Sequence, residues 1–146
     1  MSTSKLPHAG RVLVADGRKA LLLRNEGDEL HFNLQLEEAF EAPSNPPTHE
    51  QGADAPGRAM MRGRRSAVEQ TDWHTRAEQA FALDVTARVD EICHKEHVRA
   101  LVVVAPPKAL ADFRSAFPDR LRSIVIRELD KDLTKHPIYD IERHLA

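Results

Sequence analysis

The hydrophobic pattern of the chain changes its period once, and this change limits the folds open to it. Up to about residue 40, apolar residues form short runs or alternate with polar ones, which is typical of strands. From about residue 75, apolar residues recur at helical spacing and are interrupted by short apolar runs. The predicted order is therefore three strands followed by helix, strand, helix, strand and helix.

The first part predicts an antiparallel meander. Residues 12–15 and 20–23 are continuous apolar runs, as in strands covered on both faces, and Asp16-Gly17 between them suits a tight primed turn. Residues 30–36 alternate strictly, with apolar side chains at Leu30, Phe32, Leu34 and Leu36. This alternation favours a half-solvated strand at a sheet edge.

The second part predicts three helices and two strands. Thr75 and Glu78 resemble a capping box that starts a helix ending near residue 96. Residues 100–105 and 123–126 are apolar runs that predict strands, and Pro107 and Pro137 suit the first turns of two further helices. The apolar stripes of the three helices are Ala77, Phe81, Val85, Val89 and Ile92; Leu110, Phe113 and Phe117; and Ile138, Ile141 and Leu145.

These elements predict a single α/β domain over residues 1–146. We expect a mixed five-stranded sheet of order 3-2-1-4-5, with the first strand central and helices on both faces. The chain carries one cysteine, its formal net charge is −2, and no apolar run is long enough for a membrane helix. We therefore expect a cytoplasmic protein. The sequence has no Gly-rich phosphate fingerprint and no zinc-protease motif, so we expect no cofactor and no metal ion.

A long polar insert, about residues 41–72, separates the two parts. It holds four prolines and a basic cluster of arginines, and unstructured loops of this length are uncommon in compact domains unless they are functional or disordered. Guanidinium groups match phosphate oxygens, and a following tryptophan suits stacking on a base. The insert is thus interpreted as a flexible arm that binds RNA or the ribosome, through Arg58, Arg62, Arg64, Arg65 and Trp73. A solvated loop charged for solubility is the alternative.

Five segments in order resemble the bacterial host attachment protein family, whose members are described as required for attachment to host cells. They are Val-Leu-Val-Ala-Asp-Gly-Arg-Lys-Ala from residue 12, Ala-Pro-Gly-Arg from 55, Glu-Gln-Ala-Phe-Ala from 78, Leu-Val-Val-Val-Ala-Pro-Pro-Lys-Ala-Leu from 101, and Glu-Leu-Asp-Lys-Asp-Leu-Thr-Lys-His-Pro from 128.

That family is similar in turn to the middle domain of archaeal and eukaryotic class-one release factors and of Pelota, with the same element order. In release factors the loop after the third strand carries Gly-Gly-Gln. The insert here has Gln51-Gly52 and Arg62-Gly63-Arg64 but no Gly-Gly-Gln. The resemblance therefore implies a non-catalytic adaptor rather than a peptidyl-tRNA hydrolase.

Other interpretations compete with this one. The exposed strand at residues 30–36 favours a protein partner or a homodimer formed by edge pairing, without nucleic acid. The topology is also that of ribonuclease-H-like nucleases, with Asp16 and Glu78 or Glu91 as candidate ligands, but no carboxylate follows the fourth strand.

Two polar groups remain. Cys93 and His97 lie one helical turn apart, yet a tight metal site needs about two more ligands, and Cys93 lies on the buried stripe. Asp132 and Thr134 lie in a polar corner at the carboxyl ends of the parallel strands. We expect them to satisfy free amides before the last helix, with partner binding as the alternative.

Overall fold

The computed structural model describes residues 5–43 and 63–146, with side chains from residue 73 onward in the second range. The regular elements, in chain order, are β1 (Arg11–Ala15), β2 (Lys19–Asn25), β3 (Leu34–Glu41), α1 (Gly63–Lys95), β4 (Leu101–Ala105), α2 (Pro107–Ala116), α3 (Asp119–Arg122), β5 (Val125–Asp130) and α4 (Ile138–Leu145).

The five strands form one mixed sheet in the predicted order, β3-β2-β1-β4-β5. β1 pairs antiparallel with β2 and β2 antiparallel with β3, whereas β1–β4 and β4–β5 are parallel pairs. The α/β class and the strand order are therefore confirmed.

β1 and β4 form the centre of the sheet, and every residue of both strands is buried. On one face Leu13 and Val103 belong to the core built with α1 and α2. On the other face Val12 and Val102 pack with the core that includes α4. Side chains of a strand alternate between faces, so a strand that is apolar at every position requires a cover on both sides.

The helices bury the predicted stripes except at Ala77 and at Ile138, which is half-buried. Phe81, Val85, Val89 and Ile92 are buried on α1, as are the predicted stripe of α2 and Ile141 and Leu145 of α4. Ala77 is exposed. None of the helices in the described ranges is both long and apolar enough to cross a membrane.

The start of α1 differs from the prediction. The helix begins at Gly63, so Thr75 and Glu78 lie inside it and do not form a capping box at its end. Residues 63–72, which were assigned to the insert, also belong to this helix. The early turns were missed because the sequence of α1 before Phe81 shows no apolar stripe, and a stripe is the main helix signal in a sequence. Residues 44–62 of the insert lie outside the described ranges.

The predicted edge strand at residues 30–36 is also wrong in position. β3 starts at Leu34 and extends to Glu41, at the edge of the sheet next to β2. Leu30 lies in the preceding loop and is 75% exposed, whereas Leu36 lies on the strand and is 53% exposed.

Side chains of the loop itself explain this shift. The buried Asn25 accepts a hydrogen bond from the backbone N–H of Asn33 through Oδ1 at 3.1 Å. Asp28 Oδ1 accepts the N–H groups of Leu30 and His31, at 2.9 and 2.8 Å. Hydrogen bonds from the backbone N–H groups of His31, which has the larger effect, and of Leu30 lower the pKa of the Asp28 carboxyl group. Asn and Asp side chains that bond the local backbone compete with strand pairing, so the apolar alternation here misled the prediction.

A buried arginine ties the edge of the sheet to its centre. The Arg11 side chain is 1% exposed, and its Nε lies 2.7 Å from Glu37 Oε1. Its Nη1 donates to the carbonyl oxygen of Ala9, and its Nη2 lies 3.8 Å from Glu96. Glu37 is the extra residue of a β-bulge, because Leu22 and Leu23 pair with Glu38 and Leu36 and leave it without a partner residue on β2. The bulge thus provides the carboxylate that balances a buried guanidinium.

Glu37→Gln is expected to lower the free energy of unfolding by about 2 kcal/mol, because it leaves the Arg11 guanidinium buried with a weaker partner. Glu41→Gln is the matched control, since Glu41 is exposed at the end of the same strand and is expected to change stability by about 0.5 kcal/mol or less. Urea denaturation of both variants measures the difference. Equal midpoints would show that the Arg11–Glu37 pair contributes nothing to stability.

Candidate functional site

The parallel strands β1, β4 and β5 end at the same side of the sheet. We call this side the carboxyl edge, comprising the segments at residues 16–18, 106–108 and 131–137 that follow the three strands. Open α/β sheets commonly bind ligands beyond the carboxyl ends of their strands. Polar and charged side chains from four parts of the chain meet here.

Asp16 closes the loop between β1 and β2. Its Oδ1 accepts the backbone N–H groups of Arg18 and Lys19, both at 2.7 Å, and its own N–H donates to the carbonyl of Lys19. No glycine in the described ranges has a positive φ, so the predicted primed turn at Asp16-Gly17 is wrong. The aspartate side chain closes the loop, as Asx turns do, in place of a left-handed glycine.

Thr134 connects Asp16 to the loop after β5. Its Oγ1 lies 3.0 Å from Asp16 Oδ2 and 3.0 Å from Asp132 Oδ1, and the residue is buried. Asp132 Oδ1 also faces the backbone N–H of Thr134 at 3.4 Å. The N-cap of α4 is Pro137, without a side-chain cap. Asp132 and Thr134 therefore organise the corner, as the structural interpretation held, but they join two strand ends and do not cap α4.

A second group lies on the α1 and α2 side of the carboxyl edge. Glu78 Oε1 of α1 lies 2.6 Å from Lys108 Nζ, which is also 3.7 Å from Asp112 Oδ2. A Cβ atom added to Gly17 would lie 2.8 Å from Glu78 Oε2, so the Glu78 side chain packs directly over the loop after β1. Only a residue without a Cβ allows this close approach.

The carboxylates at this edge are paired with the protein's own donors. The hydrogen bond that Lys108 donates to Glu78 raises the pKa of Lys108, and its ammonium group contacts two carboxylates. Asp16 and Asp132 share the single hydroxyl proton of Thr134. Asp16 and Glu78, considered as nuclease ligands, do reach the same edge, but each is engaged by the protein's own groups. These contacts form two polar groups: one joins the loop after β1 to the loop after β5, and the other joins α1 to α2.

The residues predicted to bind RNA are only partly within the described ranges. Arg58 and Arg62 lie outside them, and Arg64 and Arg65 occupy the first turn of α1, where side chains are not described. Trp73 lies within α1 and is 43% exposed.

Cys93 and His97 line one small cleft of about 150 Å³ between α1 and α3. Burial raises the pKa of the Cys93 thiol to about 11, which keeps the thiol protonated and poorly nucleophilic. His97 follows α1 with a left-handed φ of 55° and ends the helix. The burial of Cys93 agrees with its interpretation as an unreactive core thiol.

The sequence reasoning missed a cluster at α4. His136, Asp140 and His144 place ring nitrogens and a carboxylate oxygen within 4.8 Å of one another. Their spacing of four residues is the signal that was present, because residues four apart share one helix face.

The comparison with protein families places this geometry in context. The family described as "Protein required for attachment to host cells" matches residues 11–145, from the first residue of β1 to the last residue of α4. The chain belongs to this family. None of the curated proteins compared with it matches. The match to the host attachment family includes the five strands and the whole carboxyl edge.

Thr134→Val is expected to destabilise the protein by about 1.5 kcal/mol, because it removes the hydroxyl that joins Asp16 and Asp132. Thr86→Val is the matched control: Thr86 is equally buried, and its Oγ1 has no hydrogen-bond partner among the described residues. The control is expected to be neutral or stabilising, and urea denaturation of both gives the comparison. A loss of the same size in both variants would contradict a special role for Thr134.

Cys93 is expected to react with iodoacetamide at least about tenfold more slowly in the native protein than in urea at pH 9. The native pKa of about 11 exceeds the ordinary value of 9.0, so the unfolded chain loses the thiol proton first. The stability linked to this thiol is complete below pH 9 and is lost as the pH rises to about 11. Mass spectrometry follows the labelling, and equal rates in the two states would contradict the burial of the thiol.

Proposed function

We propose that this member of the host attachment family is a non-catalytic cytoplasmic adaptor that binds RNA or the ribosome. The binding element is the amino-terminal part of α1 together with the basic residues that precede it. The resemblance to the middle domain of release factors also supports the proposal, because the corresponding loop of that domain approaches ribosomal RNA.

The observation that carries the proposal is the charge at the start of α1. The first turn has no acidic residue and contains Arg64 and Arg65. Helices are stabilised by acids in the first turn, because the amino end carries a partial positive charge. Two arginines at that end oppose helix stability and add to the positive field. Such a placement favours an anionic ligand over a purely structural role.

The length of α1 supports the same interpretation. Glu78 contacts the carboxyl edge, and fifteen residues of the helix, 63–77, precede it. At about 1.5 Å per residue these correspond to roughly 22 Å of helix. Residues 73–80 include no buried side chain, and Phe81 is the first buried residue in the part of α1 whose side chains are described. This part of α1 therefore contributes no side chain to the core from residue 73 to residue 80.

The carboxyl edge supports a non-catalytic role. The chain lacks Gly-Gly-Gln, and the carboxylates of Asp16, Glu78 and Asp132 are engaged by Thr134, Lys108 and backbone amides. A two-metal mechanism needs carboxylates whose oxygens are available to the ions. We therefore assign the proposed interaction to α1 and not to this edge.

The test compares a variant with Arg58, Arg62, Arg64 and Arg65 changed to serine with the wild-type protein. We expect weaker binding to single-stranded RNA and to ribosomes, and a slope of log K against log salt lower by about 3 if all four arginines contact phosphates. Fluorescence anisotropy measures RNA binding, and co-sedimentation measures ribosome binding.

The control variant changes four exposed cations elsewhere to serine: Lys5, Arg18, Lys95 and Arg99. It alters the net charge by the same amount, so a general charge effect lowers binding in both variants. Specific loss in the first variant supports the proposal. Equal binding by wild type and both variants over the salt titration would overturn it.

A second candidate is a protein-interaction role that affects attachment, without nucleic acid. The exposure of Leu30 before the edge strand β3 and of Leu36 on that strand favours it. The same samples discriminate the two, since pull-down after nuclease treatment retains a protein partner but loses a ribosome-dependent one.

A further inference from the structure

We propose that His136, Asp140 and His144 form a binding site for a divalent transition-metal ion of the zinc type. One nitrogen from each imidazole and one carboxylate oxygen supply three ligands, and the position facing solvent is left for water or a fourth ligand. The site is separate from the arginines of α1.

The ligand atoms already converge. All three lie within 4.8 Å of one another, and His136 Nδ1 is 2.5 Å from Asp140 Oδ2. The imidazole rings of His136 and His144 approach edge to face, with their centroids 6.0 Å apart. Ligands around a tetrahedral zinc ion are about 3.3 Å apart, since zinc–nitrogen and zinc–oxygen bonds are near 2.1 Å. Movements of roughly 1 Å, within the range of side-chain rotation, would bring the three atoms to one ion.

The backbone that carries these ligands is held from several sides. Asp140 and His144 are one turn apart on α4, and each is followed by a buried anchor, Ile141 and Leu145 respectively. His136 lies in a turn before the helix, and its backbone N–H donates to the carbonyl oxygen of Leu133 at 3.1 Å.

Two further contacts fix the position of the helix. Leu133 is itself buried in the core beneath α4. Glu142 Oε2 accepts the backbone N–H of Leu34 at 2.7 Å and so joins α4 to the start of β3. A ligand set on a fixed helix loses little conformational freedom on binding, which favours a preformed site.

The ligand types select the class of ion. Two imidazoles with one carboxylate suit zinc and other first-row transition metals, whereas magnesium and calcium prefer an all-oxygen set. The second oxygen of Asp140 lies 3.6 Å from Arg143 Nη1, which orients the carboxylate so that Oδ2 points to His136. Groups that orient a ligand in this way commonly strengthen metal sites.

Exposure of the three residues is compatible with exchange of the ion. The side chains of His136 and Asp140 are 42% and 25% exposed, and His144 is half-buried. An ion therefore has access from solvent without opening the core.

The experiment uses the full chain, purified without a histidine tag and treated with a chelator before zinc is added. We expect one zinc ion per chain by competition with a chromophoric chelator, and a visible d–d absorption band with cobalt(II) as the probe. His144→Ala and Asp140→Asn are each expected to weaken zinc binding by about tenfold or more, since even partners of metal ligands have effects of that size.

The matched control is His31→Ala, because His31 is 89% exposed and lies in the loop before β3. Circular dichroism of all variants verifies that they are folded. Loss of zinc and of the cobalt band in the α4 variants alone supports the site. Wild-type affinity in His144→Ala and Asp140→Asn, or equal loss in His31→Ala, would overturn it and leave the short His136–Asp140 contact as a hydrogen bond only.

Discussion

The complete burial of β1 and β4 is the constraint on which the structure depends. All ten residues of the two strands, five on each, are buried. Their apolar side chains need cover on both faces, which α1 and α2 provide on one side and α4 on the other. Polar side chains of the central strands are therefore found only at the strand ends. The polar clusters and candidate binding residues lie at those ends or on the helices.

The two ends of the sheet hold different kinds of polar contact. At the amino end Arg11 is buried and balanced by the bulge residue Glu37, with Glu96 nearby. At the carboxyl end Thr134 bridges Asp16 and Asp132, which joins segments 118 residues apart. The contact between Asp16 and Thr134 joins the meander to the alternating half of the chain, whereas the Arg11–Glu37 pair joins two strands of the meander. The proposed functions are correspondingly carried by α1 and α4, which extend from this framework.

The fold was predictable where burial decided the pattern, and the failures have local causes. Strand order and helix stripes follow from apolar periodicity, whereas the polar start of α1 leaves no such signal. Asn25 and Asp28 bind the backbone around residues 30–33 and prevent pairing that the alternation favoured. The Asp16–Thr134 contact needed the tertiary arrangement. The spacing of His136, Asp140 and His144 was visible in the sequence, but only the position of α4 in the structure shows that their ligand atoms lie close together.

The bulge at Glu37 limits how another strand can pair with the edge strand β3. A bulge interrupts the regular spacing of backbone donors and acceptors, so an added strand finds an unbroken ladder only on either side of it. On β3 those stretches are three residues, Leu34 to Leu36, and four residues, Glu38 to Glu41. Each is shorter than an average strand. Glu37, which neutralises the buried Arg11, thus also limits pairing of other chains with the β3 edge. The protein is protected from edge-to-edge aggregation without an extra strand or helix covering β3.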